Sequence, residues 1–257
     1  MTRYDFSHLS WESMMATEKQ ETTTTDRLEL AERLREAEQL QDAIILAMAV
    51  LAESREQDTG NHIRRTQRYV AALAQCLRFQ ASHAAELTEE NIALLYRAAP
   101  LHDIGKASVP DAIVFKPGKL SAAEFEQMKL HTVYGRNAIA GLARSFGSGL
   151  CSSRGSTDRF LRYASEIAYS HQEKFDGSGY PQGLQGTAIP LSARLMAVAD
   201  VYDALISART YRPAFTHETA VELIRQGRGE HFDPDVVDAM LAIEDQFMAI
   251  AAEFRAD

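Results

Sequence analysis

Apolar residues recur at three- and four-residue spacing in seven stretches of the sequence, at 63–77, 92–101, 125–142, 160–168, 191–206, 220–224 and 236–250, and almost nowhere in strand alternation. A chain patterned this way can bury its apolar stripes only helix against helix, so an all-α domain is expected from residue 58 to 257. The punctuation agrees. Ser121 stands three residues before Glu124 as a capping box, and Pro234 follows Asp233 as the opening of a last helix. The small polar residues from Ser145 to Ser156 read as a loop. Met196 and Leu195, at helical spacing, read as core.

Upstream the pattern changes. Residues 1–25, with His8, Trp11 and a run of threonines, show no sustained apolar period and read as a flexible leader. Residues 26–57 read as a long helix: Asp26 is a suitable cap, and Leu30, Ala37, Ile44 and Leu51 recur every seven residues, with Leu40 and Ala47 at the complementary positions. Arg33 and Ser54 interrupt that seam. It therefore suits a helix packed on its own domain as well as a parallel homodimer.

Composition narrows the functional classes. The formal charge of the 257 residues is −9, and residues 16–58 hold −6 of it, so the remainder is nearly balanced. That argues against a broad duplex nucleic-acid surface and leaves room for a small anion gripped by a few placed cations. The longest apolar run, Ala43 to Ala52, is half of the roughly 20 residues that a bilayer span needs. No basic-then-apolar start marks a secretory address. Two cysteines without a CxxC fit a reducing, cytoplasmic setting and exclude a thiolate zinc site. Any metal must be held by nitrogen and oxygen.

Eight histidines carry the remaining signal. His102 and Asp103 are adjacent in Leu-His-Asp-Ile-Gly-Lys, a pairing that is weak evidence alone. His62 sits in Asp-Thr-Gly-Asn-His-Ile-Arg-Arg, His131 opens His-Thr-Val-Tyr-Gly, and Asp200 closes Ala-Val-Ala-Asp. His171 precedes Gln-Glu-Lys-Phe-Asp-Gly-Ser-Gly-Tyr-Pro, whose glycines and proline make it a loop. His83, His217 and His231 fall outside this set and read as ordinary structural histidines.

In order and spacing these motifs, over residues 53–247, resemble the HD-GYP family, the cyclic di-GMP phosphodiesterase branch of the HD phosphohydrolases. The resemblance implies an HD-type helical domain in which His62, His102, Asp103, His131, His171 and Asp200 are metal ligands, with Asp103 shared between two ions. Imidazoles mixed with carboxylates favour iron or manganese, and zinc, nickel or cobalt remain compatible. It implies further that Lys106, Arg209 and Arg212 grip substrate phosphate, that Tyr180 contacts substrate, and that cyclic di-GMP is opened to pGpG or GMP. Two ions suit that reaction because a phosphodiester repels anionic nucleophiles.

The sequence departs from the family pattern at two places. Gln172 stands where most members have a second histidine after His171, and an amide is a poorer donor to transition metals. Asp58 stands four residues before His62, where relatives with a third metal carry glutamate, so two ions are expected. These changes keep a second class open, a cyclic di-GMP sensor or a module that binds signalling proteins through its GYP loop. A third reading is a different cyclic or linear nucleotide as substrate.

Overall fold

The computed structural model describes residues 11–53, 61–146, 154–208 and 213–254. These form ten α-helices: α1 (Trp11–Glu53), α2 (Asn61–Leu77), α3 (Glu89–Ala98), α4 (Asp111–Val114), α5 (Ala122–Phe146), α6 (Arg154–Ser170), α7 (Leu191–Ile206), α8 (His217–Gln226), α9 (Pro234–Ala242) and α10 (Glu244–Glu253). Short 3₁₀ turns at Ala99–Leu101, Ile104–Ser108 and Gly186–Ala188 link them. Among the described residues the only β feature is an isolated bridge between Arg228 and Phe232. The all-α expectation holds.

The chain divides into two compact units, Met1–Ile44 and Ile45–Asp257. α1 supplies the described residues of the first, where Leu28, Leu30, Leu34, Leu40 and Ile44 are exposed. Helix begins at Trp11, ahead of the cap expected at Asp26. Residues 11–53 contain neither glycine nor proline, so nothing in the backbone stops the helix at the threonines, whose propensity cost is only tenths of a kcal/mol each, about 0.7 at most. The second unit begins before the boundary expected at residue 58, since Ala49, Ala52 and Glu53 in the last turns of α1 are buried within it.

In the second unit the expected caps are present. The Glu124 carboxylate accepts from the Ser121 N–H at 2.7 Å while the Ser121 hydroxyl accepts from the Glu124 N–H at 3.3 Å. Asp233 accepts from the Asp235 N–H at 2.8 Å, with Pro234 in the first turn of α9. The stretch at 236–250 is two helices, broken at Ile243, which leaves the helical region at φ −126° and ψ 25°. After that break α10 sends Phe247 into the core, stacked on Tyr69 of α2 at 4.5 Å and edge-on to Tyr202 of α7 at 5.0 Å. Leu195 and Met196 are fully buried. α7 is apolar on nearly every side and runs through the middle of this core, which fixes the height at which its two aspartates stand. The loop expected at Ser145–Ser156 is shortened by α5 and α6 at its ends, and residues 147–153 lie outside the described residues.

Candidate metal centre

His62 lies in the first turn of α2, His102 follows the turn Ala99–Leu101, His131 lies within α5, His171 directly follows α6, and Asp200 lies on α7. What draws Asp103 towards His131 is the absence of a side chain at Gly105. A Cβ there would stand 1.9 Å from the His131 carbonyl oxygen and 2.4 Å from the Gly135 nitrogen. Only glycine lets the turn after Asp103 lie directly on α5.

All four imidazoles are tied at Nδ1. His102 Nδ1 lies 3.0 Å from the Ala99 carbonyl oxygen, His131 Nδ1 2.7 Å from that of Met128, and His171 Nδ1 3.0 Å from that of Ile167. His62 Nδ1 lies 2.7 Å from the Asp203 carboxylate. Each of these partners can only accept, so each ring carries its proton on Nδ1 and turns Nε2 inward. The four Nε2 atoms surround the carboxylates. Asp103 Oδ2 is 3.4 Å from His102 Nε2, while Asp103 Oδ1 is 3.2 Å from His131 Nε2 and 3.6 Å from His171 Nε2. His62 Nε2 is 3.5 Å from His102 Nε2 and 3.6 Å from Asp200 Oδ1. Asp103 thus faces His102 with one oxygen and His131 and His171 with the other, as a shared ligand must.

Asp103 Oδ1, His131 Nε2 and His171 Nε2 are buried without a hydrogen bond. Burial pushes the His131 ring down to about 4, against the pull of Asp103, so its Nε2 is a bare lone pair facing a carboxylate lone pair. Two acceptors at 3.2 Å with nothing between them are repulsive unless a cation joins them. The donor set fits a divalent transition metal. Asp103, His131 and His171 form one group whose ligand atoms lie within 4.8 Å of one another, and Glu53, His62 and His102 form another. Two ligand bonds of about 2.0–2.2 Å meeting at one ion span the 3.2 and 3.6 Å between Asp103 Oδ1 and the His131 and His171 Nε2 atoms.

Charge on the other side is balanced by protons. Burial alone would lower His62, but its hydrogen bond to Asp203 and the charges of Asp203, Glu53 and Asp200 raise it to about 10. His102 is likewise raised to about 9, burial being overcome mainly by Asp103 and Glu53. Both rings are therefore protonated near neutrality without metal, and a metal ligand must be neutral. Metal uptake at about pH 7.5 is expected to release protons and to tighten as pH rises towards 9. Calorimetric titrations in buffers of different ionisation enthalpy measure this, and heats independent of buffer would contradict it.

The other predicted residues cluster close by. Lys106 Nζ pairs with Asp103 Oδ2 at 2.8 Å. Tyr180 stands edge-on to His131 at 6.4 Å and to Phe125 at 6.1 Å, with Lys129 Nζ 5.5 Å above its ring. Burial, helped by the charge of Asp103, pushes its phenol up. The loop that carries it is held by Glu173, whose oxygens accept from the Gln182 and Leu184 N–H groups at 2.7 and 3.0 Å. Gln172 is half-buried beside His171, and its backbone carbonyl accepts from the Tyr180 N–H at 3.1 Å. Asp58, Arg209 and Arg212 lie outside the described residues.

His83 pairs with Asp235, His217 with the Tyr202 hydroxyl, and His231 stacks on Phe232, all structural roles. Asp203 and Glu53 were not anticipated. The signal for Asp203 was readable: Arg65 stands three residues after His62 and Asp203 three after Asp200, so each ligand has a helical neighbour on its own face. Glu53 gave none, being nine residues from the nearest motif histidine and on a different helix.

The sequence matches the HD domain family over residues 47–236. It is 53% identical over 211 residues to a cyclic di-GMP phosphodiesterase of Vibrio cholerae serotype O1, covering 82% of this chain and 41% of that protein. A probable cyclic di-GMP phosphodiesterase of the same organism is 49% identical over 82% of the chain and 46% of its own length. The cyclic di-GMP phosphodiesterase response regulator RpfG of Xanthomonas campestris pv. campestris is 39% identical over 82% of the chain and 54% of its own. The chain spans about half the length of these curated relatives. No helix among the described residues is long and apolar enough to cross a membrane.

Proposed function

Given that the chain belongs to the HD domain family, we propose that it hydrolyses the phosphodiester bonds of cyclic di-GMP, to pGpG or GMP, at the His62–His102–Asp103–His131–His171–Asp200 cluster. The single observation that carries the reading is the face-to-face meeting of Asp103 Oδ1 with the Nε2 atoms of His131 and His171, all three buried without a hydrogen bond. Two divalent ions, iron or manganese by the donor chemistry, would supply Lewis-acid polarisation of the phosphate and a lowered pKa for water.

The chain's own residues do the rest. The Nδ1 anchors hold four rings in a fixed orientation, so no reorganisation is needed when substrate arrives. Lys106, beside Asp103, places a cation where charge develops on the non-bridging phosphate oxygens. Tyr180, over the same cluster, borders the substrate, and Arg209 and Arg212 are assigned to phosphate by their motif alone. Asp58 is left as a further carboxylate of the cluster by motif position, and Gln172 as a weak amide donor.

Homodimerisation through α1 is supported by its exposed Leu30, Leu34, Leu40 and Ile44. A cytoplasmic setting is supported by the absence of a CxxC pattern and by free Cys76. The second reading, a cyclic di-GMP sensor or signalling-protein partner, is favoured by the amide at Gln172.

The test is turnover. Protein supplied with manganese or iron(II) is expected to convert cyclic di-GMP over many cycles, faster than other cyclic and linear dinucleotides, and to stop on chelation. Stoichiometric binding of cyclic di-GMP without product would replace the enzyme with the sensor.

A further inference from the structure

We infer that the two metal positions are unequal, and that Glu53 is the ligand that makes the His62–His102 position the tighter one. The inference rests on the metal-dependent reading of the centre but not on which nucleotide is cleaved.

Glu53 is the last residue of α1 and is only 6% exposed. Its Oε1 is buried without a hydrogen bond and lies 3.7 Å from His102 Nε2. Glu53, His62 and His102 each offer one atom to a group within 4.8 Å. An oxygen buried without a hydrogen bond, in one group with two inward-facing imidazole nitrogens, is placed to share a metal ion with them. The approach is built by small residues: Ala49 and Ala52, in the same last turns of α1, are 1% and 2% exposed. They let the helix end reach the cluster.

The asymmetry follows from counting charges on each side. Glu53 and Asp200 both stand on the His62 and His102 side, which also receives Asp103 Oδ2. Among the described residues the His131 and His171 side has only Asp103 Oδ1, and its next residue along the chain is the neutral Gln172. Carboxylates raise the affinity for hard divalent ions more than an amide does. The first equivalent of metal therefore goes to the side with Glu53. This carboxylate is distinct from Asp58, the position at which the motif places an extra acid.

The experiment is a manganese(II) titration of the full chain, read by loss of the free-ion electron paramagnetic resonance signal, with metal per chain counted by mass spectrometry. Wild type is expected to bind in two steps of different affinity. Glu53→Gln is expected to weaken the tighter step by at least about tenfold, the lower end for lost support at a metal site, with the weaker step unchanged. Glu53→Asp, which keeps the charge one methylene back, is expected to lose less. Metal-free melting of each variant checks the fold. Unchanged steps in a folded Glu53→Gln protein, or loss of the tighter step in Asp58→Asn and not in Glu53→Gln, would overturn the inference and leave the proposed function standing. A wild type that binds neither manganese(II) nor iron(II) would overturn both.

Discussion

Asp103→Asn is expected to lower turnover by more than about 100-fold, the upper range for loss of a residue that merely supports a ligand, because Asp103 is itself the proposed shared donor. Asparagine keeps the shape but replaces one oxygen with an N–H₂ that cannot bind metal, so whichever way the amide turns, one side of the cluster loses its link. The opposite charge that pairs with Lys106 at 2.8 Å is lost as well. The helices are expected to persist, since the core around Tyr69, Tyr202 and Phe247 lies elsewhere. Turnover measured beside metal content and circular dichroism tests this. Near-native activity with unchanged metal would remove Asp103 from the centre.

The second large effect concerns stability. Asp203 is fully buried, accepts from Arg65 Nε at 2.5 Å and Arg65 Nη2 at 2.8 Å, and holds His62 Nδ1 at 2.7 Å. Burial alone would raise its pKa, but Arg65 and His62 reverse this and hold it below the ordinary carboxylate range. Its contribution is accordingly present above the usual carboxylate pKa and lost as pH falls through the lowered value. Asp203→Ala leaves the Arg65 guanidinium buried without that carboxylate, an expected cost of about 3–5 kcal/mol in urea denaturation. It also frees the His62 ring, with metal affinity falling about 10- to 100-fold. A loss under about 1 kcal/mol would show that Arg65 finds a replacement partner at little cost.

These two residues also show how far the sequence could be read. Asp103 was legible because it is chemically marked: an acid beside a histidine, in a motif shared with a family. Asp203 was only half legible. Its spacing from Asp200 put it on a ligand's helix face, but nothing in the sequence said that Arg65, more than a hundred positions away, would meet it. The Gln172 substitution was visible, whereas the carboxylate placed against the opposite position, Glu53, was not, because it belongs to a different helix whose own period concerns an exposed seam.

Helical class and the caps at Ser121 and Asp233 were determined by sequence alone, because each depends on neighbours within about four residues. The division of donors into two groups, the splitting of one Asp103 carboxylate between them, and the arrival of Glu53 were decided by tertiary structure. They depend on where helix ends stop, and that is set by contacts such as Gly105 on α5 and Ala49 and Ala52 in the core, between residues whose separation along the chain carries no local signal.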